Sequence, residues 1–349
     1  MSEEITFSTL PTDGPEPPPE EADQDPILTP EQEASLRAIG ELNAVPLEDF
    51  ATVRHFEAAW ELLPYLHSYP LKDHRWAFRG QANAAWKLEP TIERLQKLYF
   101  DSFMQQGEEH VRQAFKRRAH HYMQYLPGDQ EELEWLALMR HHGAPTRLLD
   151  WTRSPYVAAF FAVADAGKDV GSAIWAIDIE AVKTEAINLL NESGVIDKPE
   201  GRSFSSSDPD VFNRVFLQDT SPAIVAPVQS LKTNERAATQ QSLFLCPNPS
   251  IWGFEFAPKQ VLKSDRDRCE AWRLEHQPEE EEPYKPERLF KLCIAPKARS
   301  ELLRELYRMN INHATLFPGL DGFARSLGTN ITVSGFSYIF GGDHFDSSV

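Results

Sequence analysis

Arg140-His141-His142-Gly143-Ala144-Pro145-Thr146-Arg147-Leu148-Leu149-Asp150-Trp151-Thr152 is the densest run of chemistry in the chain, and its order decides how the middle of the protein is built. Apolar spacing before it predicts a helix over about 129–141 that stops at Gly143, a residue suited to the left-handed position after a helix. Arg147-Leu148-Leu149 then reads as a strand, and Ser154-Pro155 restarts a helix with a serine cap and proline at its first position. In a strand starting near Thr146, Arg147 and Leu149 point one way while Leu148 and Asp150 point the other. Such a turn is expected to gather His142, Thr146 and Asp150 at one pocket mouth. There His142 would serve as acid/base or hold a ribose, and Trp151 would stack on an aromatic ring. The structural alternative has the histidines at a helix C-terminus, Asp150 capping the next helix and Trp151 in the core.

Working outward, Trp76-Ala77-Phe78 alternates as a strand ending at Arg79-Gly80. A buried arginine needs an anion, and its planar fork suits carboxylate or phosphate. The glycine after it permits close approach of a backbone or a ligand. An ion pair between Arg79 and Asp150 is the structural alternative. A helix is expected from Phe50 to Leu63, on the spacing of Phe50, Val53, Phe56, Trp60 and Leu63. Another is expected over 101–126, with Val111, Phe115, Ala119, Tyr122 and Leu126 on one stripe and Arg112, Lys116 and Arg117 on a solvated face. Ser172–Ile179 reads as a buried strand, 195–222 as a long loop, and 279–282 as a solvated loop tip. Further strands fall at about 223–228, 241–246 and 288–294, and helices at 297–309 and 320–327. The elements imply a mixed α/β (α+β) fold: one large domain with a mixed sheet and flanking helices.

The chain has 349 residues and a formal charge of -18, of which eight acids and no Lys or Arg fall in residues 1–29. That acidic, Pro-rich stretch is expected to be a disordered arm, because it holds too little apolar surface to offset ordering entropy. A negative body repels phosphate backbones, which argues against nonspecific nucleic-acid coating but leaves room for a local basic site. Three cysteines more than twenty residues apart form neither a disulfide framework nor a zinc spacing, and adjacent His141 and His142 cannot share a metal on a helix, so no metal is expected. The longest apolar run, Tyr156–Ala164, is too short for a bilayer, and the acidic start lacks signal-peptide character, so a cytoplasmic protein without membrane contact is expected. Neither a nucleophile elbow nor a Walker A sequence occurs.

Phe78-Arg79-Gly80-Gln81, Trp86-Lys87-Leu88-Glu89-Pro90 with Arg94, and the run from His141 to Thr152 together resemble the FRG domain family, named for its Phe-Arg-Gly. Arg236 with Gln240-Gln241-Ser242-Leu243-Phe244, and Leu316-Phe317-Pro318-Gly319-Leu320-Asp321-Gly322, are similar to later blocks of that family; Ser242 stands where a glycine is expected. The resemblance covers residues 73–328, after an arm at 1–29 and a helical segment at 30–72, and before a tail at 329–349. An Arg-Gly at the end of a first strand also resembles ADP-ribosyltransferases, a fold-level analogy in which the arginine holds NAD, although their Glu-x-Glu has no counterpart here. On that analogy Arg79, Gly80, Thr146, Arg147, Asp150 and Trp151 would bind NAD, and His142 and Gln241 would be catalytic. Two functions stay open. One is a nucleotide-binding, NAD-using enzyme of the toxin or defence kind, with a protein or RNA target. The other is a recognition module for a nucleotide, a nucleic-acid end or an anionic peptide.

Overall fold

Helices cover both faces of a seven-stranded mixed sheet in the computed structural model of the chain. The structure describes residues 30–334 except 69, 100–103, 197–207, 219–221, 233, 249–252 and 277–286. The predicted arm at 1–29, the loop tip at 279–282 and most of the predicted tail lie outside the described residues. The chain divides into two compact units, Met1–Glu41 and Leu42–Val349. Helix α1 (Pro30–Ala44) starts at the predicted proline and runs across that boundary. The second unit holds the sheet.

Its strands are β1 (Thr52–Phe56), β2 (Trp76–Gln81), β3 (Leu149–Thr152), β4 (Ser172–Asp178), β5 (Val225–Val228), β6 (Ser242–Pro247) and β7 (Leu289–Ile294). They lie in the order β1-β7-β4-β2-β3-β6-β5. β1 and β7 pair parallel, and the other described pairs are antiparallel. Between them come α2 (Ala59–Leu66), α3 (Thr91–Tyr99), α4 (Met104–Ala119), α5 (Glu132–His141), α6 (Pro155–Val163) and α7 (Ile179–Glu192). Then follow the short α8 (Pro209–Phe212) and α9 (Glu235–Thr239), the long α10 (Phe256–His276), and α11 (Arg299–Arg308), α12 (His313–Leu316) and α13 (Leu320–Ser334).

The central strands are buried on both faces, and their period-2 alternation feeds two cores. Trp76 and Phe78 of β2 and Ile174 of β4 join Phe160 of α6 and Leu302 of α11. Ala77, Trp175 and Ile177 on the opposite face join Leu136 of α5 and Val182 of α7. Helix α6 begins as predicted, with Pro155 in its first turn and the Ser154 hydroxyl accepting from the Val157 N–H at 3.3 Å. It lies very close to β2: a Cβ on Gly80 would sit 2.1 Å from the Ala158 carbonyl oxygen and 2.5 Å from the Ala162 nitrogen. The close approach anticipated at Gly80 is therefore made by the backbone of a helix.

Several expectations are corrected. The i, i+3 spacing of Phe50, Val53 and Phe56 is not helical; residues 52–56 are β1, an edge strand burying Phe56, so the segment 30–72 contributes a strand to the sheet. α2 starts only at Ala59, and Trp60 is exposed. α4 ends at Ala119, which leaves Tyr122 off the predicted stripe and exposed, as Tyr125 is beside it. Arg112 is buried, paired with Glu132 at 3.3 Å and with Glu109. The predicted loop 195–222 holds α8 and a π-helical turn over 213–217, whose Phe212, Val215 and Phe216 enter the core. β3 begins at Leu149, two residues after the predicted start, because Arg147 is drawn away to Glu108. α7 and α10 were not anticipated. α10 carries many charges, which obscure its helical period.

Gly80→Ala is expected to lower unfolding free energy by about 2–3 kcal/mol or more, since the new methyl meets backbone that cannot swing aside. Urea denaturation of the two proteins measures it; an unchanged midpoint would show that α6 can retreat from β2.

Candidate functional site

β2 pairs with β4 along its whole length, yet its described pairing with β3 is the single bridge Phe78↔Thr152. Where these neighbouring strands part, a cleft of about 1000 Å³ lies against Arg79, Gly80 and Gln81 on one side and Asp150 and Thr152 on the other. α3, α5 and α9 bring further side chains to its walls.

Arginine dominates this cleft. Arg79 Nη1 donates to the Asp150 main-chain oxygen at 2.7 Å, and Arg79 Nε is buried with no hydrogen-bond partner. The anticipated Arg79–Asp150 ion pair is thus absent in that form: Arg140 takes the Asp150 carboxylate, through Nε at 2.7 Å and also through Nη2. Arg140 Nη1 donates to Thr91 Oγ1 at 2.8 Å, and Arg94 Nη2 donates to the same hydroxyl at 3.2 Å. Three guanidinium groups are therefore strung along one hydroxyl, one peptide oxygen and one carboxylate. That wall keeps an excess of positive charge. Burial holds the Arg79 pKa down to about 10, with Arg140 and Arg94 adding to the depression and Asp150 opposing it. Arg236, whose guanidinium lies 4.4 Å from the Phe317 ring centroid, also faces the cleft. Its pKa is lowered by burial and by Arg140 and Arg325, against the pull of Asp150.

The other lining groups are fixed by hydrogen bonds. Gln81 is buried, donating to the Lys87 carbonyl at 3.1 Å and accepting from Trp175 Nε1 at 2.8 Å. Thr152 Oγ1 donates to the Gln240 carbonyl at 2.6 Å, and Gln240 Nε2 donates to the Leu316 carbonyl at 2.9 Å. Thr152 and Gln240 thus join three separate sequence blocks behind the arginines. Of the acids, Glu134 accepts from the Leu231 N–H at 2.7 Å and from the Ser230 hydroxyl. The half-buried His141 has its pKa pushed down by burial, then by His142 and Arg236.

Four of the eight predicted site residues, Arg79, Gly80, Asp150 and Trp151, line the cleft. Trp151 does so only marginally: it is 2% exposed and belongs to the core, so it cannot stack on a ligand. Thr146 is wholly buried away from the cleft. Arg147 is held by Glu108: the Arg147 N–H donates to the carboxylate at 2.7 Å, the guanidinium pairs with it, and Nη1 donates to the Phe216 carbonyl. Burial lowers the Arg147 pKa, but Glu108 outweighs it and leaves it raised. His142 is the exposed C-terminal cap of α5, while its neighbour His141 turns inward. Gln241, at φ 48°, lines a separate pocket of about 390 Å³ with His67, His74 and Arg153. Arg94, His141 and Arg236 also line the cleft without having been assigned a role there from the sequence, and so does Arg140, which the sequence marked only as an arginine beside a turn; all four stand inside the quoted motifs. Their shared signal was the motif blocks themselves, which converge here from far apart in sequence.

Two measurements separate structure from site. Arg147→Ala strands the buried Glu108 carboxylate and is expected to cost about 3–5 kcal/mol of stability by urea denaturation, whereas Arg140→Ala, at a partly exposed pair, costs about 1 kcal/mol. The His141 imidazole should titrate below the ordinary histidine value in an NMR pH series. Above that value both folded and unfolded chains leave it neutral. As pH falls beneath it the unfolded chain binds the proton first, so stability declines through that window and His141→Gln removes this contribution.

Among the described residues no helix is long and apolar enough to cross a membrane. No curated protein and no solved structure matches the chain. The family model described as FRG domain matches residues 74–170, a span holding β2, the three linked arginines, Asp150 and Thr152. The blocks around Arg236 and Phe317 lie beyond that span. Residues 74–170 of the chain carry an FRG domain.

Proposed function

We propose that the cleft binds a phosphate-bearing nucleotide, NAD first among the candidates, with Arg79 as the main anion contact. The observation that carries this reading is the buried, unpartnered Arg79 Nε beside Arg94 and Arg140, which share the Thr91 hydroxyl while Arg140 alone holds the Asp150 carboxylate. Leaving a guanidinium donor buried and unsatisfied is costly, and a phosphate oxygen would relieve it. The cleft, at about 1000 Å³, is large enough for a dinucleotide. Trp86, 55% exposed on its lining, offers the stacking face that buried Trp151 does not.

Transfer of ADP-ribose from NAD is the catalytic form of this reading. In it, the roles first given to His142 and Gln241 pass to His141 and Gln240, which face the cleft. A second reading, a recognition module without chemistry, is favoured by the state of the carboxylates: Asp150 is occupied by Arg140, and Glu134 by Ser230 and Leu231. Incubation with labelled NAD, scored for glycohydrolysis and label transfer, separates the two.

Calorimetry tests the binding itself. Arg79→Ala should weaken NAD or ATP binding about tenfold or more, the loss of one charge-assisted hydrogen bond, and Arg79→Lys should restore only part of it. No heat and no thermal shift with either nucleotide at millimolar concentration would end the nucleotide reading. Equal binding by a folded Arg79→Ala protein would move the ligand elsewhere.

A further inference from the structure

From the last turn of α4 onward, the segment Arg117-Arg118-Ala119-His120-His121-Tyr122-Met123-Gln124-Tyr125 departs from the character of the rest of the chain. Residues 110–128 hold four Lys or Arg and no Asp or Glu, in a protein of formal charge -18. Arg112 and Lys116 are drawn inward to Glu132, but Arg117, Arg118, His120 and His121 are exposed. Tyr122 and Tyr125 are 85% and 83% exposed, extreme values for tyrosines in a protein with two well-filled cores. The segment is also continuous with the site: Met123 and Tyr125 line the arginine cleft, as does Trp86.

We propose that this segment extends the cleft into a short track for single-stranded nucleic acid, so that the nucleotide held by the arginines is the end of a longer strand. The proposal rests on the nucleotide reading above and adds the partner. Interleaved cations and open aromatic faces are what single strands use: the cations follow the phosphates while successive bases stack on the rings. An acidic peptide would satisfy the arginines but leave the tyrosine faces without a planar partner. Because the rest of the body repels phosphates, contact is confined to a few nucleotides, and the salt dependence should be shallow. For about four neutralised phosphates the slope of log K against log salt is roughly -3.

The test is calorimetry on the full chain with ATP, with a 5′-phosphorylated ten-nucleotide RNA, and with the DNA of the same sequence. At least one ten-mer should bind ten or more times tighter than ATP, the RNA and DNA arms showing which sugar is preferred. Tyr122→Ala, and separately Arg117→Ala with Arg118→Ala, should each lose about tenfold for the ten-mer and leave ATP binding unchanged, since none of the three lines the cleft. Tyr122→Phe, which keeps the ring, should bind as the wild type does. Ten-mers that bind no tighter than ATP would overturn the track while leaving the nucleotide site standing. Wild-type ten-mer affinity in a folded Tyr122→Ala protein would overturn it too, as would a polyglutamate peptide binding as tightly as the ten-mers. Absence of binding by ATP, NAD and both ten-mers would sink this proposal and the nucleotide reading together.

Discussion

Helix α6 lies so close to β2 that only a glycine fits at position 80, and most of the site follows from that contact. With the helix backbone against this strand, β2 is fixed in the middle of the sheet and bonded along its length to β4. Its far edge meets β3 at a single bridge and then turns free. Arg79 is carried to that free edge. An arginine so placed reaches the Asp150 peptide oxygen through Nη1 and keeps its Nε buried without a partner. The constraint therefore couples packing to the cleft: a helix set for the core also sets a cation in its wall.

Electrostatics then separates body from site. The chain is strongly acidic, yet the cleft gathers Arg79, Arg94, Arg140 and Arg236 around one arginine-bound carboxylate. Burial first, and neighbouring arginines after it, lower the pKa values of Arg79 and Arg236 against the pull of Asp150. Arg147 shows the contrasting case. Its guanidinium has a dedicated carboxylate in Glu108 and ties the turn before β3 to α4, so its charge is neutralised within the fold. Two arginines seven residues apart thus divide between site and scaffold according to which carboxylate each meets.

Local chemistry made much of the architecture legible. Ser154-Pro155 started α6, Gly143 ended α5, and its φ of 82° with the Ala144 N–H bonded to the Met139 carbonyl is a Schellman close. The continuous apolar run of β4 marked a strand buried on both faces. Reading by spacing failed where two periods coincide: Phe50, Val53 and Phe56 fit a helix stripe, yet they belong to a turn and an edge strand whose pairing with β7 comes from more than two hundred residues away. α10 escaped notice because its outer face is so heavily charged that the apolar stripe of Ala257, Val261 and Leu262 is short.

For the site, the division falls between location and membership. Residue type and motif order pointed to Arg79-Gly80 and to the run from Arg140 to Thr152, because arginine beside a glycine, and histidines beside a rigid turn, are costly arrangements with few structural uses, and both segments line one cleft. Which of those residues face the cleft depended on contacts that no local pattern encodes. Glu108 arrives from α4 to claim Arg147, Arg140 rather than Arg79 takes the Asp150 carboxylate, and the core closes over Trp151 and Thr146. Adjacent residues of identical type, His141 with His142 and Gln240 with Gln241, parted in the same way. At a helix end and at a turn, one step along the chain reverses the direction of a side chain, and only the packing of distant segments sets the register of that step.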